Sequence, residues 1–384
     1  MKVVIAIDSF KGSMSSLEAG RAAELGVRDI YPDAEVAVCP VADGGEGTTE
    51  AIVSGVGGEY RRVRVSDPLG RIIEAEYGVL PSGTAVIEMS RAAGITLVSE
   101  NERDPLASDT FGVGEMILDA LRLGVRDFII GIGGSATNDG GVGMLRALGF
   151  GFFDKDGMPI PRGAAGLSEL AKIDLSGADP RLSECSFRVA SDVKNPLVGP
   201  MGATYVYGPQ KGVGADRLSL LDGYLERYAD ITAELIPSAD KSAPGGGAAG
   251  GLGFALVSFL GAKLQSGVDL VTELIGLRDS LCGADLCITG EGRMDAQSAM
   301  GKLPVGVARL AKEAGASVVA LAGSVADGAE ALHAIGIDAA FSILRSPTSL
   351  AEAMRSDVAQ GNMRAAAREI VSLFGAIKRG KERK

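Results

Sequence analysis

The segment ITGEGRMDAQSAMGKLP, residues 288–304, places several reactive side chains directly after a short apolar run. Glu291, Arg293 and Asp295 alternate with small or apolar residues, and Lys302 follows a glycine. The Gly-Lys pair looks like the end of a phosphate-binding loop, but Leu303 stands where such a loop has a Ser or Thr for Mg²⁺. Because cationic side chains neutralise phosphate charge and carboxylates hold a metal or orient a hydroxyl, the segment favours chemistry on a phosphate.

Four other apolar runs, each predicted to be a strand, are followed by loops of the same kind. These loops carry Asp8, Ser9 and Lys11; Asp43 and Glu46; Gly133, Gly134, Ser135, Asn138 and Asp139; and Asp192, Lys194 and Asn195. In open α/β sheets, ligands bind beyond the carboxyl ends of the strands. Glycine-rich turns also present backbone N–H groups to anions. Five such strand ends predict one shared ligand site.

Three further glycine-rich signals are weaker. GPQKG, with Lys211, is equally consistent with an anion-binding turn and with a solvated loop. GGGAAGG, with Gly246 and Gly247, follows no predicted strand, so it is either a phosphate cradle at a helix entry or a plain linker. GIGGSA matches a dinucleotide-binding fingerprint, but no acidic residue at the end of a following strand supports it.

The scarcity of histidine and the cysteine spacing exclude several reaction classes. His333 is the one histidine, and it lies in a helical stretch without reactive neighbours, so we interpret it as structural. The four cysteines have no CxxC spacing, which argues against zinc and disulfides and favours reduced thiols. Phosphoryl transfer needs positioning and charge rather than a covalent nucleophile, so it remains open to this chain.

Composition narrows the partners. The net charge of −11 argues against nucleic acid and anionic membranes, so the cations that bind an anionic ligand must be concentrated locally. No signal peptide is recognised at the amino terminus, and residues 242–262, which carry no charge, are interpreted as a glycine-rich loop before a buried helix rather than a membrane span. We expect a cytoplasmic protein, and the sequence leaves open whether it is a homo-oligomer.

The pattern of elements predicts an α/β protein with two domains. KVVIAI, residues 2–7, predicts a buried strand, and Ser15 with Glu18 matches a capping box that begins a helix ending before Pro32. This strand–loop–helix pattern occurs at both ends of the chain, whereas the residues after Gly58 alternate like antiparallel hairpins. We therefore predict a discontinuous parallel-sheet domain, residues 1–60 and 266–384, with a mixed α/β domain, residues 61–265, inserted.

Together these loops give the chain a family resemblance. DSFKGS, ADGGEGT, GIGGSATNDGG, SDVKNPLVGPMGATYVYGPQKG, GGGAAGGLG and ITGEGRMDAQSAMGKLP occur in the order in which the type 1 bacterial glycerate kinases have them. The series covers residues 8–304, and no motif is missing. The resemblance implies a Rossmann-like or flavodoxin-like larger domain and ATP-dependent phosphorylation of D-glycerate to 2-phosphoglycerate, with ATP and Mg²⁺ as cofactors. It also implies that AMGKL is not a truncated P-loop.

Roles for the residues follow from this resemblance as hypotheses about a cleft between the two domains. Lys11, Arg293 and Lys302 would contact the glycerate carboxylate and the ATP phosphates. Asp192 would act as the base or orient the attacking hydroxyl, with Asp295 as the second choice. Metal ligation is predicted for Asp192 and Asn195. Substrate or phosphate contacts are predicted for Asp8, Ser9, Asp43, Glu46, Gly133, Gly134, Ser135, Asn138, Lys211, Gly246, Gly247, Glu291 and Lys302.

Two other functions remain open at this point. A nicotinamide-dependent oxidoreductase acting on a small hydroxy acid would use GIGGSA as its pyrophosphate turn. A non-catalytic sensor of sugar acids would keep the anion-binding loops and release no ADP. Neither alternative explains why five strand ends carry similar loops.

Overall fold

A computed structural model describes residues 1–295, 298 and 303–382, with side chains described as far as Lys378. The chain divides into two compact units, the first comprising residues 1–43, 50–56 and 268 onward, and the second comprising residues 44–49 and 57–267. The predicted domain boundaries were 60/61 and 265/266. The main difference is that residues 44–49, within the loop ADGGEGT, group with the second unit.

The described residues form thirteen strands and fifteen α-helices. The strands are β1 (Lys2–Ile7), β2 (Glu35–Val38), β3 (Glu59–Ser66), β4 (Ile72–Val79), β5 (Thr84–Glu88), β6 (Asp127–Gly131), β7 (Gly151–Phe153), β8 (Lys172–Asp174), β9 (Ser186–Ala190), β10 (Lys263–Gln265), β11 (Leu286–Met294), β12 (Ser317–Val325) and β13 (Ala339–Ser342). The helices are α1 (Ser16–Ile30), α2 (Thr48–Val56), α3 (Ser90–Ala93), α4 (Phe111–Arg122), α5 (Val142–Ala147), α6 (Gly163–Leu167), α7 (Ala203–Tyr207), α8 (Leu218–Leu235), α9 (Leu252–Leu260), α10 (Gly267–Leu274), α11 (Leu277–Leu281), α12 (Leu303–Glu313), α13 (Ala331–Ala334), α14 (Leu350–Ala353) and α15 (Ser356–Glu382).

The first unit contains a parallel sheet with the strand order β2-β1-β11-β12-β13 among the described residues. Counted along this unit alone, that order is 2-1-3-4-5, the flavodoxin-like arrangement. The predicted α/β class and the discontinuous parallel-sheet domain are therefore confirmed. The strand order reverses between β1 and β11, which is where a fold of this kind binds its ligand.

Helices cover both faces of this sheet, which explains the continuous apolar run of β1. Val3 and Ile5 belong to the core that includes apolar residues of α1 and α15. Val4 belongs to the core on the other face, with Leu281 of α11 and Val307 of α12. Successive side chains of a strand point to opposite faces, so a strand buried on both sides has no polar alternation.

Helix α1 begins as the sequence predicted. Ser15 Oγ accepts a hydrogen bond from Glu18 N at 3.3 Å, and Ser15 N donates to Glu18 Oε2 at 2.8 Å. A capping box of this kind provides hydrogen-bond acceptors for two backbone N–H groups that have no partner within the helix. The helix ends at Ile30, two residues before Pro32. The capping-box prediction is confirmed.

The second unit contains a mixed sheet, ordered β10-β9-β6-β5-β4-β3 among the described residues. Strands β5, β6, β9 and β10 are parallel, whereas β3, β4 and β5 pair antiparallel. Asp67 holds the predicted turn between β3 and β4 by accepting hydrogen bonds from Leu69 N and Arg71 N. The predicted mixed α/β domain is confirmed. Strands β5, β6 and β9 end at the same edge of this sheet.

Strand β11 is longer than expected. The apolar run that ends at Ile288, followed by a charged segment, predicts a strand that ends there and leads into a helix. The strand continues to Met294, so that prediction is wrong. The physical reason is its partner β12, which pairs with β11 from Ser317 opposite Leu286 to Val325 opposite Met294. Glu291 and Arg293 therefore lie within a strand, two residues apart, and their side chains point to the same face.

Residues 242–262 form the predicted glycine-rich loop and buried helix. The loop leads into α9, whose first five residues are buried. Within the residues described, no helix combines the length and the apolar character needed to cross a membrane. His333 lies in α13 with Nδ1 2.9 Å from the carbonyl oxygen of Ile337, in agreement with a structural role.

Two glycines of this region have similar backbone conformations but different surroundings, so alanine substitutions can distinguish backbone strain from steric overlap. Gly250 and Gly261 have φ of 67° and 63°, where L-residues lose about 1–2 kcal/mol. A Cβ at Gly250 would overlap the Thr137 carbonyl oxygen, whereas one at Gly261 would meet nothing within 4 Å. We expect Gly261→Ala to cost about 1 kcal/mol of unfolding free energy and Gly250→Ala about 3 kcal/mol or more.

Thermal unfolding of both variants measures this difference. A shift of about 2–4 °C per kcal/mol is typical of domains of this size. Equal shifts for the two variants would show that the close approach of Gly250 to Thr137 does not constrain the fold.

Candidate functional site

A cavity of about 610 Å³ lies in the first unit, beyond the carboxyl ends of its parallel strands. Its lining comes from the loop after β1, the ends of β11 and β12, and the segment after β13. This is the position that the strand order indicates for a ligand. The volume is within the range of sites that enclose a small molecule or cofactor.

The cavity gathers the charged residues that the sequence singled out in this unit. They are Asp8, Lys11, Asp43, Glu291 and Arg293, and Ser9 lies beside them. Asp8 N donates to the carbonyl oxygen of Gly290 at 2.9 Å, which fixes the end of β1 next to β11. These charges come from three distant parts of the sequence, as expected for a site at the edge of a parallel sheet.

A tight turn positions Lys11. Phe10 N donates to the Met14 carbonyl oxygen at 2.9 Å, and Met14 N donates to the Phe10 carbonyl oxygen at 3.1 Å. Gly12 has φ of 76° within this turn, a conformation that glycine adopts without strain. The turn therefore presents Lys11 at its tip, in the wall of the cavity.

Asp8 has an unusual proton affinity. Burial raises the pKa of its carboxyl from 3.8 to about 7, and the negative charge of Asp43 adds to the shift. The backbone N–H of Ser9, 2.7 Å from Asp8 Oδ1, and the charge of Lys11 oppose it. A carboxyl with a pKa near neutrality can accept and return a proton at physiological pH.

Glu291 of β11 is as buried as Asp8, whereas Arg293 of the same strand is exposed. The Arg293 side chain is 69% exposed, and its Nε lies 3.4 Å from Asp295 Oδ2. Asp295 N donates to Ser298 Oγ at 3.2 Å. Arg293 can therefore reach an anion in the cavity without losing buried contacts. Lys302, predicted to contact phosphate or carboxylate, lies outside the described residues.

Part of the cavity lining is an apolar wall, which was not predicted from the sequence. Phe10, Ile343, Leu344, Leu350 and Met354 contribute to this wall. The segment SPTSLAEAM, residues 346–354, predicts the start of a helix, and SLAEAM also resembles the family. Apolar residues in a short helix normally indicate packing against the core, so their position in a cavity has no sequence signal.

A second group of predicted residues lies at one edge of the sheet of the second unit. A Cβ atom added to Gly131 would lie 2.7 Å from the Gly44 carbonyl oxygen, and one added to Gly133 would lie 2.7 Å from Gly45 Cα. Thr49 N donates to Glu88 Oε1, at the end of β5, at 2.7 Å. The segment 44–49 thus lies against the carboxyl ends of β5 and β6.

A cavity of about 450 Å³ borders this segment. Glu46 and Gly134 line it, together with Glu88, Ser90 and Arg91, which were not predicted from the sequence. Glu88 is 1% exposed, and burial raises its pKa, opposed by the Thr49 N–H and by Arg91, whose Nε lies 3.5 Å from Glu88 Oε2. Glu88 ends the apolar run VIE, residues 86–88, and a carboxylate at a strand end could have indicated a site residue. The alternating pattern of this region instead predicts an antiparallel hairpin.

Three predicted residues of this unit are buried and hydrogen-bonded within the protein. Asn138 Nδ2 donates to Thr204 Oγ1 at 2.9 Å. Asp139 accepts from the backbone of Thr110 and Gly143. Lys211 is 1% exposed and its Nζ donates to the Thr137 carbonyl oxygen at 2.7 Å, so the solvated-loop alternative is wrong. Burial lowers the pKa of Lys211 to about 7.

The glycine-rich loop before α9 uses its backbone donors internally. Gly246 N donates to the Ala243 carbonyl oxygen at 3.1 Å, and Gly247 N donates to the Asn195 carbonyl oxygen at 3.0 Å. This argues against their predicted contact with phosphate. Ser135 is buried and forms an isolated bridge with Gly94.

The two residues predicted to hold a metal lie after β9. Asp192 is exposed, and its Oδ1 accepts from Gly267 N at 3.1 Å. Asn195 Oδ1 accepts from the Tyr207 hydroxyl at 2.8 Å, and its Nδ2 donates to the Met201 carbonyl oxygen at 2.7 Å. In the described part of the chain, no group of three His, Cys, Asp or Glu side chains has the geometry to hold a metal ion.

The oxidoreductase alternative loses its structural basis. A dinucleotide-binding fingerprint needs its glycines to open a helix directly after the strand. Here β6 ends at Gly131, and α5 begins only at Val142. The GIGGSA turn therefore has no helix amino terminus for a pyrophosphate.

Comparison with known proteins gives one consistent result. The model of the glycerate kinase family matches residues 3–375. The glycerate 2-kinase of Escherichia coli K12 is 48% identical over 97% of both chains, and the glycerate kinase of Halalkalibacterium halodurans is 49% identical over 92% of this chain and 93% of its own. A crystal structure of a proposed glycerate kinase 2 from Salmonella typhimurium LT2 superposes with a TM-score of 0.89 at 45% identity and covers 99% of each chain.

The pKa of Asp8 makes stability depend on pH. Between pH 3.8 and about 7 the folded protein holds a proton that the unfolded chain has lost, so the contribution of Asp8 to the unfolding free energy falls as pH rises. Asp8→Asn imitates the neutral form. We expect it to raise the thermal midpoint by a few degrees at pH 8, with a smaller gain at pH 4.5.

Asp179→Asn is a control of opposite sign. Its bonds to Arg181 lower the pKa of Asp179 to about 2, so its stabilisation is present above pH 3.8 and is lost as pH falls through 2. We expect this variant to unfold at a lower temperature at pH 8. A lower midpoint for Asp8→Asn at pH 8 as well would contradict the burial argument.

Proposed function

Since this chain belongs to the glycerate kinase family, we propose that it transfers the γ-phosphoryl group of ATP to D-glycerate, yielding 2-phosphoglycerate and ADP. The observation that carries this proposal is the cavity at the β1–β11 reversal, where Lys11 and Arg293 face carboxylates in a protein of net charge −11. Phosphoryl transfer depends on positioned cations and carboxylates of this kind.

The cationic residues of the cavity suit the charge that moves in this reaction. Lys11 and Arg293 would bind phosphate oxygens, and the long exposed side chain of Arg293 would follow the group as it is transferred. Arginine makes two parallel hydrogen bonds to phosphate, whereas lysine acts as a compact charge. Lys11 lies on a turn and Arg293 lies on a strand, so the two cations come from separate segments of the chain.

The acidic residues of the same cavity are compatible with Mg²⁺. Asp8 and Asp43 are close enough for the charge of Asp43 to raise the pKa of Asp8. Mg²⁺ in phosphotransferases is usually held by one or two carboxylates together with phosphate oxygens and water, so a cage made only of protein ligands is not required. When bound, the ion would neutralise charge on the phosphates. Asp43 would hold it together with the phosphate oxygens, and Asp192 and Asn195 remain a second predicted pair.

Two carboxylates are candidates for the group that orients the attacking hydroxyl. Asp192, predicted from the sequence, is exposed. Asp8 has a pKa near 7, which matches the ideal value for a general base at neutral pH. Asp295, the second choice from the sequence, pairs with Arg293 and would position that side chain.

Release of ADP in the presence of D-glycerate tests the activity, and phosphorus NMR of the product tests which hydroxyl is phosphorylated. We expect Lys11→Ala to reduce turnover about 10³-fold or more, because a cation that stabilises a transferring phosphoryl group contributes this much. Lys155→Ala, which removes an exposed lysine between Asp154 and Asp156, is the matched control and should retain turnover.

Three outcomes would count against the proposal. Binding of glycerate without ADP release by the wild type would favour a sugar-acid sensor. A 3-phosphoglycerate product would refute the regiochemistry. Near-wild-type turnover in Lys11→Ala would remove this cavity from the reaction.

The pH dependence of kcat/KM for glycerate distinguishes Asp8 from Asp192. If Asp8 accepts the proton, the rate falls about tenfold per pH unit below its pKa of about 7, because the protonated carboxyl is inactive. Asp8→Asn should then lose about 10²–10⁴-fold and show no such limb. The measurement needs ATP saturated with Mg²⁺.

Asp192→Asn provides the comparison. If Asp192 is the base instead, this variant loses the activity, and Asp8→Asn retains both the rate and the shape of the profile. A limb near pH 7 that persists in Asp8→Asn would assign that ionisation to another group.

A further inference from the structure

Three apolar side chains in the wall of the first cavity are unusually accessible to solvent. Leu344, Leu350 and Met354 are 38%, 76% and 38% exposed. Leaving a side chain of this size in water forgoes about 1.5–3 kcal/mol relative to full burial. Exposed leucines are common on protein surfaces, but these three residues line the same cavity as the charged residues.

Hydrogen bonds hold this apolar wall in a defined conformation. Ile343 N donates to the Ala322 carbonyl oxygen at 2.8 Å, which continues the pairing of β13 beyond Ser342. Leu344 N donates to Ser342 Oγ at 3.1 Å. Because these bonds tie the segment to the parallel sheet, the wall is formed before a ligand arrives.

Helix α14 and its C-cap residue supply the other two of these three side chains, Leu350 and Met354. Its cap is Ser349, whose Oγ accepts from Glu352 N at 3.2 Å. Met354 N donates to the Leu350 carbonyl oxygen at 2.9 Å, which keeps these two residues one helical turn apart. Both side chains line the same cavity, so they form one surface.

The cavity lining therefore combines two kinds of chemistry. It contains Lys11, Arg293 and the carboxylates, and it also contains the apolar wall. D-glycerate bears an oxygen substituent on every carbon, so it has no apolar surface for such a wall. A nucleotide combines a flat, weakly polar base with a highly charged phosphate chain, and a volume of about 610 Å³ suits a ligand of that size.

We propose that the purine base of the phosphoryl donor packs on Leu344, Leu350 and Met354, while its phosphates face Lys11 and Arg293. The proposal rests on the assigned kinase activity and adds the orientation of the nucleotide in this cavity. It makes the segment after β13 the determinant of affinity for the base. Glycerate then approaches the phosphates beside Lys11 and Arg293.

Binding of ADP and of inorganic tripolyphosphate, measured by calorimetry, separates base from phosphate contacts. The variant Leu350→Asn/Met354→Gln changes no charge. We expect its Kd for ADP to rise about tenfold, since it removes on the order of one buried side chain's worth of apolar contact. The Kd for tripolyphosphate should change less than twofold, because that ligand has no base.

Two controls keep the result interpretable. Leu220→Asn, at a leucine 51% exposed on α8 of the second unit, should leave both Kd values unchanged. Leu350→Met keeps an apolar side chain and should retain ADP affinity. Thermal unfolding of each variant checks that the fold is intact.

Each contrary outcome has a distinct meaning. Equal weakening of ADP and tripolyphosphate, or a raised KM for glycerate with unchanged ADP affinity, would overturn the placement of the base. Loss of a wild-type dimer with unchanged ADP binding would instead assign the wall to contact with a second copy of the chain. ADP binding is measured directly and does not depend on turnover. These outcomes can therefore be distinguished from failure of the proposed kinase activity, in which the wild type would release no ADP.

Discussion

The pairing of β1 with β11 is the constraint on which the site in the first unit depends. Val3 lies opposite Leu286 and Ile7 opposite Gly290, so residues at the start of the chain meet residues from its last third. Side chains alternate along a strand, and a slip of one residue would turn Glu291 and Arg293 away from Asp8. Burial on both faces of β1 fixes this register, because each residue from Val3 to Ile7 packs in a core.

The same burial sets the chemistry of the site. Asp8 lies at the end of an apolar strand, next to Asp43, and therefore retains its proton up to near neutral pH. Arg293, on the outer part of β11, stays in water and keeps its reach. A parallel sheet thus produces two environments within a few residues: a dry one where proton affinity shifts, and a wet one where a flexible cation meets an anion.

Local and periodic features could be predicted from the sequence, whereas features created by a distant partner could not. The capping box of Ser15 and the apolar run of β1 depend on neighbouring residues. The length of β11 depends on β12, and burial of Lys211 depends on a backbone carbonyl at Thr137, which leaves no trace in the residue type. The loops at the strand ends predicted the charged residues of the cavity. Its apolar wall could not be predicted, because the same residue types occur in an ordinary hydrophobic core.

The division of the chain has a consequence for synthesis on the ribosome. The second unit is complete once residue 267 has been translated, because its other piece, residues 44–49, is made earlier. The first unit must wait for β11, which lies between β1 and β12 in its sheet. Its two earliest strands therefore leave the exit tunnel long before their central neighbour exists. During that interval the edge of β1 that β11 later covers has no partner strand, so it is open to pairing with other strands.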